Sequence, residues 1–169
     1  MGSEMCIRDS ICLGWSSSQD DFPVKVYVSA PRLIEAHLEG SGSLSIGELV
    51  AENLDLKVSG SGTINSANVK GSNVLIAISG SGDIDVKNVK AESLKVSIIG
   101  SGDVKVSRLK ATTAETEISG SGDVTLSGVV TSQSISITGS GDFSGQQLIV
   151  DESDVKIRGS GDVRLLSGG

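Results

Sequence analysis

Residues 80–123 read GSGDIDVKNVKAESLKVSIIGSGDVKVSRLKATTAETEISGSGD. Within them Gly-Ser-Gly-Asp opens at Gly80, Gly100 and Gly120, and an aliphatic residue follows each time: Ile84, Val104 and Val124. Working outward, the tripeptide Gly-Ser-Gly recurs at 40–42, 60–62, 80–82, 100–102, 120–122, 139–141 and 159–161, at intervals of 20, 20, 20, 20, 19 and 20 residues. A fixed period of this size, held along a chain, is the mark of a stacked-repeat architecture.

With the first glycine as position one, apolar residues fall into columns. Position five reads Leu44, Ile64, Ile84, Val104, Val124, Phe143 and Val163, and position seven reads Ile46, Ser66, Val86, Val106, Leu126, Gly145 and Leu165. Position ten reads Leu49, Val69, Val89, Leu109, Val129 and Leu148. With one deletion allowed before Gln133, position seventeen reads Leu56, Ile76, Val96, Thr116, Ile135 and Val155, and position nineteen Val58, Ile78, Ile98, Ile118, Ile137 and Ile157. A spacing of two is a strand period, and the residues between are mostly polar. One repeat cannot bury its apolar face alone, but repeats stacked ~4.8 Å apart bury a continuous aliphatic column and complete the backbone ladder. The pattern predicts an all-β, right-handed parallel β-helix (β-solenoid) with about 20 residues per coil, two or three strands per coil, and a rod on the order of 35 Å long. Phe143 beside Gly145 reads as volume compensation within neighbouring columns. Upstream, Val24, Val26 and Val28 alternate, Pro31 stands in a connection, and Ile34, Ala36 and Leu38 fit positions fifteen, seventeen and nineteen of a further coil.

Composition agrees with this reading. Of 169 residues 22 are glycine, while aromatics are only 2% (Trp15, Phe22, Tyr27 and Phe143), so stacked aliphatics must do the burying. The net charge of −7 disfavours a nucleic-acid phosphate backbone or an anionic membrane, and the Lys and Arg residues are dispersed with no basic run. Cys6 and Cys12 lie in the first dozen residues, which leaves the body without a disulfide scaffold or a Cys-rich metal site. No stretch reaches the ~18 apolar residues of a membrane span.

The corner glycines, Gly40, Gly42, Gly60, Gly62, Gly80, Gly82, Gly100, Gly102, Gly120, Gly122, Gly139, Gly141, Gly159 and Gly161, are expected to be structural, supplying positive φ at a sharp turn. Asp83, Asp103, Asp123, Asp142 and Asp162 follow five of these tripeptides and are weak calcium candidates, since calcium takes six to eight oxygens and each coil offers one carboxylate. The expected role of these aspartates is an Asx turn to nearby backbone N–H groups, with Ser43 and Thr63 as weaker substitutes. Catalysis lacks parts. His37 is the single histidine, expected to face solvent without a partner, so Ser-His-Asp, Cys-His and zinc chemistry are incomplete. Carboxylate pairs such as Glu115 with Glu117, or Asp83 with Asp85, leave a carbohydrate-active β-helix as the alternative, although no aromatic platform for sugar rings accompanies them. No catalytic residue, resident metal or cofactor is expected.

The Gly-Ser-Gly-Asp-aliphatic corners, together with Val26-Tyr27-Val28-Ser29-Ala30-Pro31-Arg32-Leu33, resemble the head GIN domain of auto-transporter adhesins over residues 22–169. The resemblance implies a secreted or envelope-exposed β-helix of the kind common in Bacteroidota, at the outer surface or in the periplasm. It brings no catalytic residues. The function expected is non-catalytic adhesion or scaffolding toward a surface ligand or protein partner of unknown identity, without nucleic acid and without membrane insertion. A third reading is a structural module that self-associates end to end through open coil edges. The run Met5-Cys6-Ile7-Arg8-Asp9-Ser10 resembles the translation of a transposon end used in preparing sequencing libraries, and Met1 to Ser10, with Glu4, Arg8 and Asp9 where an apolar core should lie, do not read as a signal peptide. The expected organisation is a non-native or disordered segment at 1–21, then one β-helix domain at 22–169, truncated at its N-terminus and stopping halfway through a coil at its C-terminus.

Overall fold

A computed structural model describes residues 35–166 with their side chains, and the backbone of three earlier strands at 3–8, 11–15 and 25–28. Ile34 and the connection at Pro31 lie outside the described residues, as does Val24. Every described element is a strand: β1 (Ser3–Arg8), β2 (Ile11–Trp15), β3 (Lys25–Val28), β4 (Glu35–Gly40), β5 (Ser43–Val50), β6 (Asn53–Gly60), β7 (Thr63–Lys70), β8 (Asn73–Gly80), β9 (Asp83–Lys90), β10 (Ser93–Gly100), β11 (Val104–Gly120), β12 (Val124–Gly139), β13 (Phe143–Gly159) and β14 (Val163–Leu165).

Strand residues of one coil pair in parallel with those 20 positions on, as Leu44 with Ile64 and Leu56 with Ile76, and 19 positions on across the shorter coil, as Ile118 with Ile137. Strands β3, β5, β7, β9 and the first half of β11 stack on one face of the solenoid, and β4, β6, β8, β10 and the second half of β11 on the other. β12 and β13 continue both faces, and β14 continues the first alone. The architecture is the expected parallel β-solenoid of about seven turns at a spacing of about 20 residues. Two further strands fall within residues 1–21: β1 pairs antiparallel with β2 and with β4.

The core follows the columns read from the sequence. Positions five, seventeen and nineteen are buried from Ala36 and Leu38 to Ile135, Ile137 and Phe143. Val155 and Ile157, on the last rung of the second face, are exposed because no described strand stacks beyond them. Gly145 makes room for its large neighbour, since a Cβ there would lie 3.0 Å from the Phe143 ring and 3.1 Å from Leu165. Column ten contains one correction. Val129 is 51% exposed, and Gly128 takes the place below Leu109. The nineteen-residue coil loses its residue between Leu126 and Gly128, where the register shifts, not further along toward Gln133. Gly128 has φ 138°, which glycine adopts at little cost, and Val130, 1% exposed, continues the next inward column in register with Ala111. Among the described residues three polar ones interrupt the apolar columns: Ser66, Thr116 and Gln133 are buried, and their side-chain polar atoms have no hydrogen-bond partner.

The glycine corners combine two demands. Gly80 has φ 127°, and a Cβ on it would lie 2.5 Å from the Gly60 carbonyl oxygen one coil back. Gly62, the second glycine of its tripeptide, is limited by packing instead: a Cβ would lie 2.5 Å from the Leu38 side chain and 2.9 Å from the Gly42 carbonyl oxygen. Both glycines are thus fixed by how closely the coils stack.

Candidate functional site

The aspartate corners form a ladder between coils. Asp83 Oδ1 accepts the N–H of Asp103 at 3.2 Å, Asp103 Oδ1 that of Asp123 at 3.0 Å, Asp123 Oδ1 that of Asp142 at 3.0 Å, and Asp142 Oδ1 that of Asp162 at 2.9 Å. The sequence suggests a turn bond to nearby N–H groups, whereas the acceptor serves the equivalent residue one coil on. Each of these bonds is charge-assisted, so the stack of carboxylates is partly offset by N–H dipoles. Arg164 adds a cation at the end of the stack, 3.1 Å from Asp162 and 3.9 Å from Asp142. Among the described residues no group of three or more His, Cys, Asp or Glu could hold a metal ion.

The other candidates are dispersed. Glu115 and Glu117 point outward from the second half of β11, and Glu115 pairs with Lys95 at 3.2 Å. Asp83 belongs to the corner ladder, while Asp85 lies on the first face. His37 does face outward, but it is half-buried and has a partner: its Nε2 lies 3.0 Å from Ser59 Oγ, in the next coil.

The first face carries a feature that a residue-by-residue reading misses. The pattern of β5, buried at Leu44 and Ile46 and again at Leu49, places two outward residues in succession at Gly47 and Glu48. The same slip recurs in β7 and β9, and grooves form along it. One, of about 230 Å³, is floored by Val69, Val89 and Leu109 and walled by Lys70, Lys90, Lys110 and Arg108 with Asn68 and Asn88. A second, of about 290 Å³, lies against β12 and β13 and is walled by Ser107, Thr125, Ser127, Ser144 and Gln147. In the first groove the period stacks cations. Lys70 pairs in register with Lys90 and Lys90 with Lys110, while Asn88 stands between Asn68 and Arg108. All four cations are exposed. Asn88 donates to Asn68 Oδ1 at 2.8 Å, an amide rung that fixes the groove wall. Lys70 pairs with Glu48 at 2.9 Å, but Lys90, Arg108 and Lys110 have no ion pair among the described residues. On the second face, by contrast, Lys57, Lys95 and Lys156 each hold a carboxylate.

In the sequence these cations look dispersed. The signal that could have found them was spacing: Lys70, Lys90 and Lys110 are 20 residues apart, one coil each.

A comparison with known families matches residues 5–87 and 75–169 to the one described as "Putative auto-transporter adhesin, head GIN domain". The chain belongs to this family. That description groups the family with auto-transporter adhesins, a class whose name suggests the cell surface or envelope. No match was found among curated proteins or among solved structures.

Proposed function

We propose that this head GIN domain is a non-catalytic adhesion or scaffolding unit, exported to the cell surface or envelope, that engages its partner through its outward strand faces. The observation that carries this reading is the division of labour across each coil. Inward positions are given to aliphatic stacking and corner positions to glycine and the aspartate ladder, which leaves the outward rows without a part in holding the coil, and one of them repeats lysine over three coils at Lys70, Lys90 and Lys110. A surface that repeats along a rod suits an extended partner or a multivalent contact better than a single small molecule. Of the carboxylate pairs that a carbohydrate-cleaving enzyme would need, Glu115 and Glu117 share the outward side of one strand but Glu115 is held by Lys95, and Asp83 of the other pair is engaged in the corner ladder.

Two measurements test the proposal. Labelled protein is expected to adhere to whole cells or to envelope material in a saturable way. Incubation with a panel of polysaccharides is expected to yield no new reducing ends and no unsaturated products. Product formation that scales with protein concentration would replace adhesion with catalysis.

A further inference from the structure

We propose that the groove walled by Lys70, Lys90, Lys110 and Arg108 binds an extended acidic polysaccharide lying along the solenoid axis; this rests on the adhesion reading and names its ligand class. The first argument is charge. The protein as a whole is acidic, with net charge −7, yet β7, β9 and the first half of β11 carry six cations, Lys70, Lys87, Lys90, Lys105, Arg108 and Lys110, against two carboxylates, Asp83 and Asp85, with Glu48 of β5 paired to Lys70 and Asp103 at the bordering corner. Lys90, Lys110 and Arg108 are exposed and have no anion of their own, while like charges at successive rungs repel one another. An anionic chain across the rungs removes that repulsion.

The second argument is spacing. Lys70, Lys90 and Lys110 occur once per coil, roughly 4.8 Å apart at parallel-strand spacing. A 1,4-linked pyranose chain advances by about one ring per residue, a step comparable with that rise. One carboxylate on each sugar therefore meets successive ammonium groups along the groove, and one on alternate sugars meets every second ammonium group. Arg108 supplies a planar fork suited to a carboxylate, and the Asn68 and Asn88 amides offer partners for ring hydroxyls.

The same surface suits nucleic acid poorly. Single-stranded nucleic acid is held by stacking on aromatic side chains, and among the residues described with side chains the one aromatic is Phe143, which is buried.

The test is affinity electrophoresis and calorimetry with polygalacturonate and heparin, using dextran as the neutral control and an oligodeoxythymidylate as the competing polyanion. The expected result is binding to one or both acidic polysaccharides that weakens as salt rises, with none to dextran and at least tenfold weaker binding to the oligonucleotide. The double variant Lys90→Glu/Lys110→Glu should lose at least tenfold in affinity while its circular dichroism and melting curve stay native. Lys156→Glu, on the opposite face, should bind as the parent does. Absence of binding to both acidic chains, unchanged affinity of a folded double variant, or equal affinity for the oligonucleotide overturns the proposal. Cell adherence measured in parallel separates the two readings. If the double variant adheres like the parent, adhesion stands and the groove is not its docking surface; if the parent itself does not adhere, the adhesion reading fails.

Discussion

The early and late coils share the Gly-Ser-Gly corner but close it differently. Where Ser43 or Thr63 follows the tripeptide, the next coil's N–H goes to a main-chain oxygen: Thr63 donates to Gly42 at 2.9 Å and Asp83 to Gly62 at 3.0 Å. From Asp83 onward the acceptor is a carboxylate, and the N–H of Asp103, Asp123, Asp142 and Asp162 each turns to the aspartate one coil back. The strands register the change. β5, β7 and β9 begin at the fourth residue of the repeat, whereas β11, β12, β13 and β14 begin one residue later. One side chain thus decides whether the backbone ladder runs into the corner or stops short of it, while the glycines stay the same.

That contrast predicts where the two regions should behave alike and where they should not. Glycine is common to both, so the largest effects should be shared. Gly60→Ala and Gly120→Ala each place a Cβ at positive φ (115° and 136°) against the carbonyl oxygen of the preceding coil's glycine. Each should cost about 3 kcal/mol or more, read by urea denaturation. If Gly60→Ala keeps parental stability and Gly120→Ala does not, the early corner is softer than its geometry implies.

Next in size are the polar residues inside the stack. Thr116 and Gln133 lie in the later coils and Ser66 in an earlier one, all buried with unpartnered polar atoms. Thr116→Val keeps the shape and removes a hydroxyl that has lost its water, so it should stabilise the domain by about 1 to 2 kcal/mol in the same titration. A loss of stability would mean that the hydroxyl is satisfied by bound water. The aspartate ladder should contribute less because it is exposed. Asp123→Ala removes the acceptor for the Asp142 N–H and should cost about 1 kcal/mol, while Thr63→Ala, whose corner relies on main-chain acceptors, should change stability by less than about 0.5 kcal/mol. Equal costs at the two sites would erase the distinction between early and late corners.

Much of this fold was legible because its rule is periodic. Leu44, Ile64 and Ile84 announce a buried column through spacing alone, and the Gly-Ser-Gly register predicts their pairing. What escaped was whatever depends on the place where the period slips, or on neighbours one coil away. Val129 has the right residue type for column ten, yet the coil loses its residue before Gly128, and Val129 turns outward. The aspartates were visible, but the identity of their donors was not, since a turn bond and an inter-coil bond need the same residue. The cationic groove escaped because a linear reading searches for adjacent charges, whereas this topology makes neighbours of residues 20 apart.

The smallest predicted effect concerns the second face. Lys57 bonds Asp55 at 3.0 Å and Glu35 at 3.3 Å, and its pKa is raised from 10.5 chiefly by the hydrogen bond from its ammonium to Asp55, with Glu35 adding to the shift and burial opposing it. A folded-state pKa above the unfolded one means that the charged lysine stabilises the fold. That contribution is complete below pH 10.5 and disappears as pH rises through the higher folded value. Lys57→Met should therefore be less stable than the parent at pH 8 by under about 1 kcal/mol, because the pair is about one-third exposed and screened. The difference should narrow as pH climbs above 10.5, when the parent loses the charge that the variant never had. Lys90→Met, by contrast, removes a cation that stands between Lys70 and Lys110 with no ion pair among the described residues, so it should cost no stability at pH 8. Chemical denaturation of both variants at pH 8 and above pH 10.5 makes the comparison. A narrowing in Lys90→Met as large as in Lys57→Met would show that the alkaline response belongs to overall charge rather than to the paired rung on the second face.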